Sequence, residues 1–158
     1  MKLFFCLLAF VAQYSNLFAQ TAYPNKWANH TAHKNGMKMD MAVVLEKEFG
    51  GNHQVHVVRY NNQYYLFLHN FSVIDFGDGK SNKQRVSLTV GYGSQSWTYD
   101  LVFNYSKMVL AYELDPLGND SELIKRLKAG KDLFVQHSFI NCKFTLNGAT
   151  SAFAKIGL

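Results

Sequence analysis

Residues His53 to His69 read HQVHVVRY, then Asn61-Asn62, then QYYLFLH. Two runs rich in β-branched and aromatic residues flank a pair of asparagines, which is the pattern of two strands and a turn. Asparagine tolerates positive φ better than most residues, so the pair suits the two central positions of a tight hairpin. This stretch sets the expectation for the whole chain: antiparallel strands joined by short turns. Tyr60, Tyr64 and Tyr65, with Phe67 and Phe71, make the hairpin aromatic on both faces. One face must pack inward. The other is either buried in a sandwich or presents tyrosines to a partner, a role to which tyrosine is well suited. Tyr60, Tyr64 and Tyr65 are therefore the candidate partner-binding residues.

Toward the N-terminus, Met37, Met39, Met41, Val43 and Leu45 alternate with Lys38, Asp40, Ala42, Val44 and Glu46. The period of two predicts a half-buried strand. Lys38, Asp40 and Glu46 are costly to bury unpaired, so the methionine face is expected to pack inward. Gln20 to Gly36 is polar and reads as a loop or a loose first strand. Toward the C-terminus the alternation recurs over Val86 to Tyr92, Trp97 to Phe103 and Met108 to Leu114, ending at Asp115-Pro116. The period then changes. Asn119 to Glu122 has the form of a capping box, Leu123, Ile124 and Leu127 make one stripe, and Gly130 stops the helix. Two more strands follow, Leu133 to His137 and Cys142 to Leu146, and Ala149 to Ile156 reads as a short final helix. The expected fold is mainly β: an antiparallel β-sandwich or small barrel of seven to eight strands with one or two short packed helices. Residues 20–158 form a single β-rich domain in this reading.

Residues 1–19 read differently. Lys2 precedes an apolar run, Leu3 to Val11, and small Ala19 closes the segment. This is the order of a secretory signal peptide cut after Ala19, and its apolar run is too short to span a bilayer. The expected localisation is periplasmic or secreted, with no membrane span. Cys6 leaves with that segment. Cys142, the other cysteine, alternates with Phe144 and Leu146 and is expected to be a buried, inert thiol.

The chain carries a formal net charge of +5. Its basic residues are scattered apart from Lys125, Arg126, Lys128 and Lys131, which suit a solvated helix face. Nucleic-acid binding needs a denser basic stripe, so none is expected. His30-x-x-His33 followed by Met37, Met39 and Met41 is the sharpest candidate for chemistry, because imidazole and thioether suit Cu(I). The continuation of the methionine face into Val43 and Leu45 favours core instead, so no metal is favoured there. His53-x-x-His56 places its rings on opposite sides of a strand. His69 could take an orienting carboxylate from Asp75 or Asp78, but no serine elbow or usable cysteine accompanies it. Gly91-Tyr92-Gly93-Ser94 lies between strands, where a phosphate cradle would need a following helix. No catalytic residue and no cofactor is assigned. The expected function is non-catalytic binding of a protein or cell-surface partner outside the cytoplasm. The alternative is a periplasmic copper-binding protein using His30, His33, Met37, Met39 and Met41.

The last forty residues carry a family resemblance. A helix, then Gly130-Lys131, then a strand precede Phe144-x-Leu146-x-Gly148-x-x-x-Ala152, and Trp27 lies near the expected mature N-terminus. This order resembles the C-terminal third of the invasion-associated locus B family of bacterial exported proteins. The family's cysteines beside its N-terminal tryptophan have no counterpart here. The resemblance implies an exported β-sandwich linked to host association, with no catalytic residues to carry over.

Overall fold

Asn61 (φ 48°) and Asn62 (φ 59°) both take the left-handed region. That is the geometry whose twist matches a two-residue hairpin. The strands on either side, β3 (Gln54–Tyr60) and β4 (Gln63–His69), pair in register from Tyr60 opposite Gln63 to Gln54 opposite His69. A computed structural model describes residues 26–34, 37–46, 52–71, 83–106 and 109–158, without the side chains of Lys34, Met37 and Ser106. The expected signal peptide, Asp75 and Asp78 lie outside the described residues.

The remaining elements are β1 (Ala28–Lys34), β2 (Met37–Leu45), β5 (Lys83–Tyr92), β6 (Gln95–Ser106) and β7 (Val109–Leu114). They are followed by α1 (Ser121–Ala129), β8 (Asp132–His137), β9 (Ile140–Thr145) and α2 (Ala149–Lys155). The described strands form one nine-stranded antiparallel sheet in the order β1-β2-β3-β4-β7-β6-β5-β8-β9. The fold is mainly β, as the alternation predicts. The expected count of seven or eight rises to nine because the polar segment before Gly36 forms a full strand. Its register with β2 runs from Ala28 opposite Val43 to Lys34 opposite Met37. Polar side chains hold it there: Thr31 Oγ1 donates to Asp40 Oδ1 (2.8 Å), and Asn29 Nδ2 donates to the Ala152 carbonyl (2.8 Å). No helix among the described residues is long and apolar enough to cross a membrane.

Strands β6 and β7 share only the pairs from Asn104–Ala111 to Ser106–Val109, whereas β5 and β6 pair along ten residues. The sheet curves over on itself, so that its two halves face each other across one core. Val44, Val57, Leu66, Leu68 and Leu110 from one half meet Val86, Leu88, Val135, Cys142 and Phe144 from the other. Trp27 ties the first strand to the last. Its backbone N–H donates to the Asn147 carbonyl (3.0 Å) and its Nε1 to the Thr145 carbonyl (2.9 Å). Its ring meets Phe153 edge-on at 5.1 Å.

The methionine strand departs from the half-buried expectation. Met39 and Met41 are buried, as expected, but Ala42 and Val44 on the opposite face are buried too and belong to the main core. Met39, Met41 and Val43 join a second cluster with Val58, Tyr60, Tyr65, Phe67, Val109 and Ala111. The strand is thus apolar on both faces from Met41 to Val44, and its charged residues sit toward its ends. Period-two reasoning assigns one wet face and misses a strand buried on both.

Helix α1 buries Leu123, Ile124 and Leu127, the expected stripe. Its capping box does not form. Asp120 makes no side-chain cap and instead accepts from the Asp115 N–H (2.8 Å) and the Tyr112 hydroxyl (3.1 Å). Gly130 does end the helix, for reasons of space and not of positive φ. A Cβ there would stand 2.6 Å from both Leu146 Cδ1 and Val90 Cγ1. Because Leu127 is buried in the main core, Leu127→Ala is expected to cost about 2–5 kcal/mol, the range for a buried leucine. Chemical denaturation checks this. An unchanged midpoint would place the stripe in solvent.

Candidate functional site

Two arrangements of side chains stand out, at opposite ends of β3. The first is an open groove of about 840 Å³ where the β3–β4 turn, the end of β7, helix α1 and the C-terminal residues converge. Tyr64 forms one wall. Its hydroxyl donates to the Gly157 carbonyl (2.8 Å), which fixes the C-terminal segment beside it. Leu114 and Ile124 are apolar and largely buried in the lining. The turn after β7 supplies Pro116 and Leu117, and α1 supplies Lys125 and Lys128. That turn is held from beneath by the Asp120 carboxylate, which binds the Asp115 N–H and the Tyr112 hydroxyl. Burial, then the Asp120 charge and hydrogen bond, push the Tyr112 phenol up to about 12, so it stays a donor. Leu117 is 99% exposed on the groove's rim. Lys125 pairs with Glu122 (3.3 Å), and Lys128 is half-buried along the same wall.

The second arrangement lies inside the sheet. Glu46 follows β2 and His53 precedes β3, and the Glu46 N–H donates to the His53 carbonyl (3.0 Å), closing the connection between the strands. His53 Nδ1 lies 2.7 Å from Glu46 Oε2. Cys142, on β9 of the facing half, completes a group whose three ligand atoms all lie within 4.8 Å of one another. Glu46 is 8% exposed and Cys142 2%. Burial, then the charge and hydrogen bond of Glu46, push the thiol up to about 12. The Glu46 carboxylate thus meets both the His53 imidazole and the Cys142 thiol.

The sequence-derived candidates are distributed differently. His30 stands opposite Met41 across β1 and β2, while His33 stands opposite Lys38. Cross-strand partners share a face, so His33 lies on the face opposite His30, Met39 and Met41, and the cluster does not converge. Met37 pairs with Lys34 at the end of the strand. Tyr60 and Tyr65 are buried in the second cluster and present no tyrosine patch; only half-buried Tyr64 reaches the groove. The two rings of His53-x-x-His56 do part, as expected. His53 joins Glu46 beside Phe71 (4.9 Å), and His56 stacks on His69 (4.2 Å) in the other layer. Of His69's possible orienters, none is among the described residues.

The Glu46–His53–Cys142 group has no signature in the sequence. Its members come from the residue after β2, the residue before β3 and β9 itself, and the sheet's curvature brings β9 to β2. The groove left a partial signal in the run Asp115-Pro116-Leu117, where an apolar residue sits in a turn.

Fold and sites together define a mainly β, single-sheet protein with a groove at one end and a buried N/O/S donor group at the other. No protein-family model, no curated protein and no solved structure matches the chain.

Proposed function

We propose that this is an exported, non-catalytic binding protein that holds a short segment of a protein partner in the groove beside α1. One observation carries the reading: Leu117, almost fully exposed, rims a groove whose lining includes buried Leu114 and Ile124. Concave clefts lined by apolar side chains with a few charged groups on their walls are binding sites, and Leu117 carries the apolar lining out to the rim. Glu113 and Asp115 line the groove as well as Lys125 and Lys128, so the fitting segment combines a large apolar side chain with an aspartate or glutamate set against Lys128 and away from those carboxylates. Export rests on residues 1–19, and a host-associated role rests on the C-terminal family motif. Gly130 and Phe144 of that motif serve packing here and lie in neither site. The divergence of His33 from His30 and Met41 gives the copper reading no support.

Panning a library of short displayed peptides against the protein tests this. Selected peptides are expected to share an acidic residue next to a large apolar one. Lys128→Glu is expected to weaken them about tenfold, roughly 1.4 kcal/mol, and Leu117→Asp by a similar factor. Selected peptides indifferent to both substitutions would place binding elsewhere.

A further inference from the structure

We propose that Glu46, His53 and Cys142 form a binding site for a divalent cation of the zinc class, tying β2 and β3 to β9 across the core. Three observations carry the proposal. The donors are an imidazole nitrogen, a carboxylate oxygen and a sulfur, already within 4.8 Å of one another. A tetrahedral ion with bonds of about 2.0–2.3 Å separates its ligand atoms by roughly 3.5 Å, so the 2.7 Å contact between Glu46 and His53 opens slightly and the wider separations, at most 4.8 Å, close by up to about 1 Å. That is the scale of side-chain rotation, with no strand moving.

The second observation is charge. Glu46 is a carboxylate buried in the core, and its ion-pair partner among the described residues is the His53 imidazole. A carboxylate buried this deeply is costly without a countercharge, and a cation bound between it, the His53 imidazole and Cys142 supplies one.

The third is access and selectivity. His53 keeps a quarter of its side chain exposed, which leaves one side of the group open to solvent. Hard ions such as magnesium and calcium take oxygen ligands, whereas a mixed N/O/S set suits borderline ions. Binding requires the thiol to lose its proton to solvent as the metal–sulfur bond forms, with no oxidation or reduction. Three protein ligands leave a fourth position for water. The site is separate from the groove, since the seven residues of β3 span about 23 Å at 3.3 Å each.

Cobalt(II) is the test ion, because a thiolate bound to it gives a near-ultraviolet charge-transfer band. Titration of the reduced protein is expected to produce that band, saturating at one equivalent, and one equivalent of zinc should displace it. The bound ion should also shield Cys142 from a thiol reagent. His53→Gln, at the partly exposed position, and Glu46→Gln should each weaken cobalt at least tenfold, since even outer-shell partners of a metal contribute 10- to 100-fold. Cys142→Ser should abolish the band and Cys6→Ser should leave it. If Cys142→Ser does not fold, the His53 variant decides. Absence of the band, its persistence at full affinity in His53→Gln, or its loss in Cys6→Ser overturns the proposal.

Discussion

Trp27→Ala is expected to cost about 3–5 kcal/mol, the range for removing a large buried aromatic. For a chain of this size that is a fall in Tm of about 6–20 °C. Three contacts go at once. The ring leaves Phe153, against which it stands edge-on at 5.1 Å. The Thr145 carbonyl loses the indole N–H, its 2.9 Å donor, inside the protein. A void also opens in the main core, where Trp27 is 2% exposed. The effect is local in origin, because Trp27 joins the start of β1 to the chain that follows β9. Amides of Ala28–Lys34 should therefore exchange faster before the rest of the sheet does. Trp27→Phe separates the contributions. It keeps most of the packing and loses the hydrogen bond, so about 1 kcal/mol is expected. Urea unfolding of the three proteins decides the matter, and a loss below about 1 kcal/mol for the alanine variant would show that the ends of the sheet are joined some other way.

Acid is expected to destabilise the protein well above the carboxylate range. His56 and His69 stack at 4.2 Å in the layer that also holds Phe67. Burial drives His69 down to about 3. Burial also drives His56 well below its ordinary value, followed by the neighbouring His69 and His30 imidazoles. Both rings are therefore neutral in the fold. The sign follows from proton counts. Below pH 6.5 the unfolded chain takes up protons at these histidines and the folded chain does not, so stability falls as pH falls. The loss begins near pH 6.5 and for His69 continues to about pH 3. Well below pH 6.5 each pH unit costs about 1.4 kcal/mol per histidine, which comes to about 3 kcal/mol for the pair between pH 6.5 and 5. Asp40, whose value is also lowered, acts in a window below its ordinary 3.8 and does not contribute there. Urea midpoints at pH 7.5 and pH 5 measure the loss, and His69→Phe should halve it. Equal midpoints would mean that the rings reach solvent.

The hairpin at Asn61-Asn62 was legible because its information is local. Two residues able to take positive φ, set between runs of β-formers, leave few alternatives. The same holds for β2, where alternation marks Met37–Leu45 as a strand, and for the α1 stripe of Leu123, Ile124 and Leu127. What alternation could not say is how many layers cover a strand. Met41 to Val44 is buried on both faces, and Tyr60 and Tyr65 went with it into a second cluster, away from the surface expected of a partner-binding patch. The capping box failed for a related reason. The helix begins one residue later than the box Asn119 to Glu122 requires, and Asp120, which takes the cap position, is held instead by Asp115 and Tyr112 from the preceding turn and strand.

The sequence by itself determined the strands after β1, the hairpin turn, the helix face and the burial of Cys142, because each depends on residues within one element and its periodicity. Only the tertiary structure decided that the strands form one sheet bent over a shared core. That bend brings β9 against β2, and so Cys142 to Glu46 and His53, residues some ninety positions apart in the chain. It likewise sets Leu117 on the rim of a groove shared by β4, β7, α1 and the C-terminal residues. Such convergence depends on sheet curvature and on which side of the core each strand faces, quantities summed over the whole chain and carried by no single segment of it.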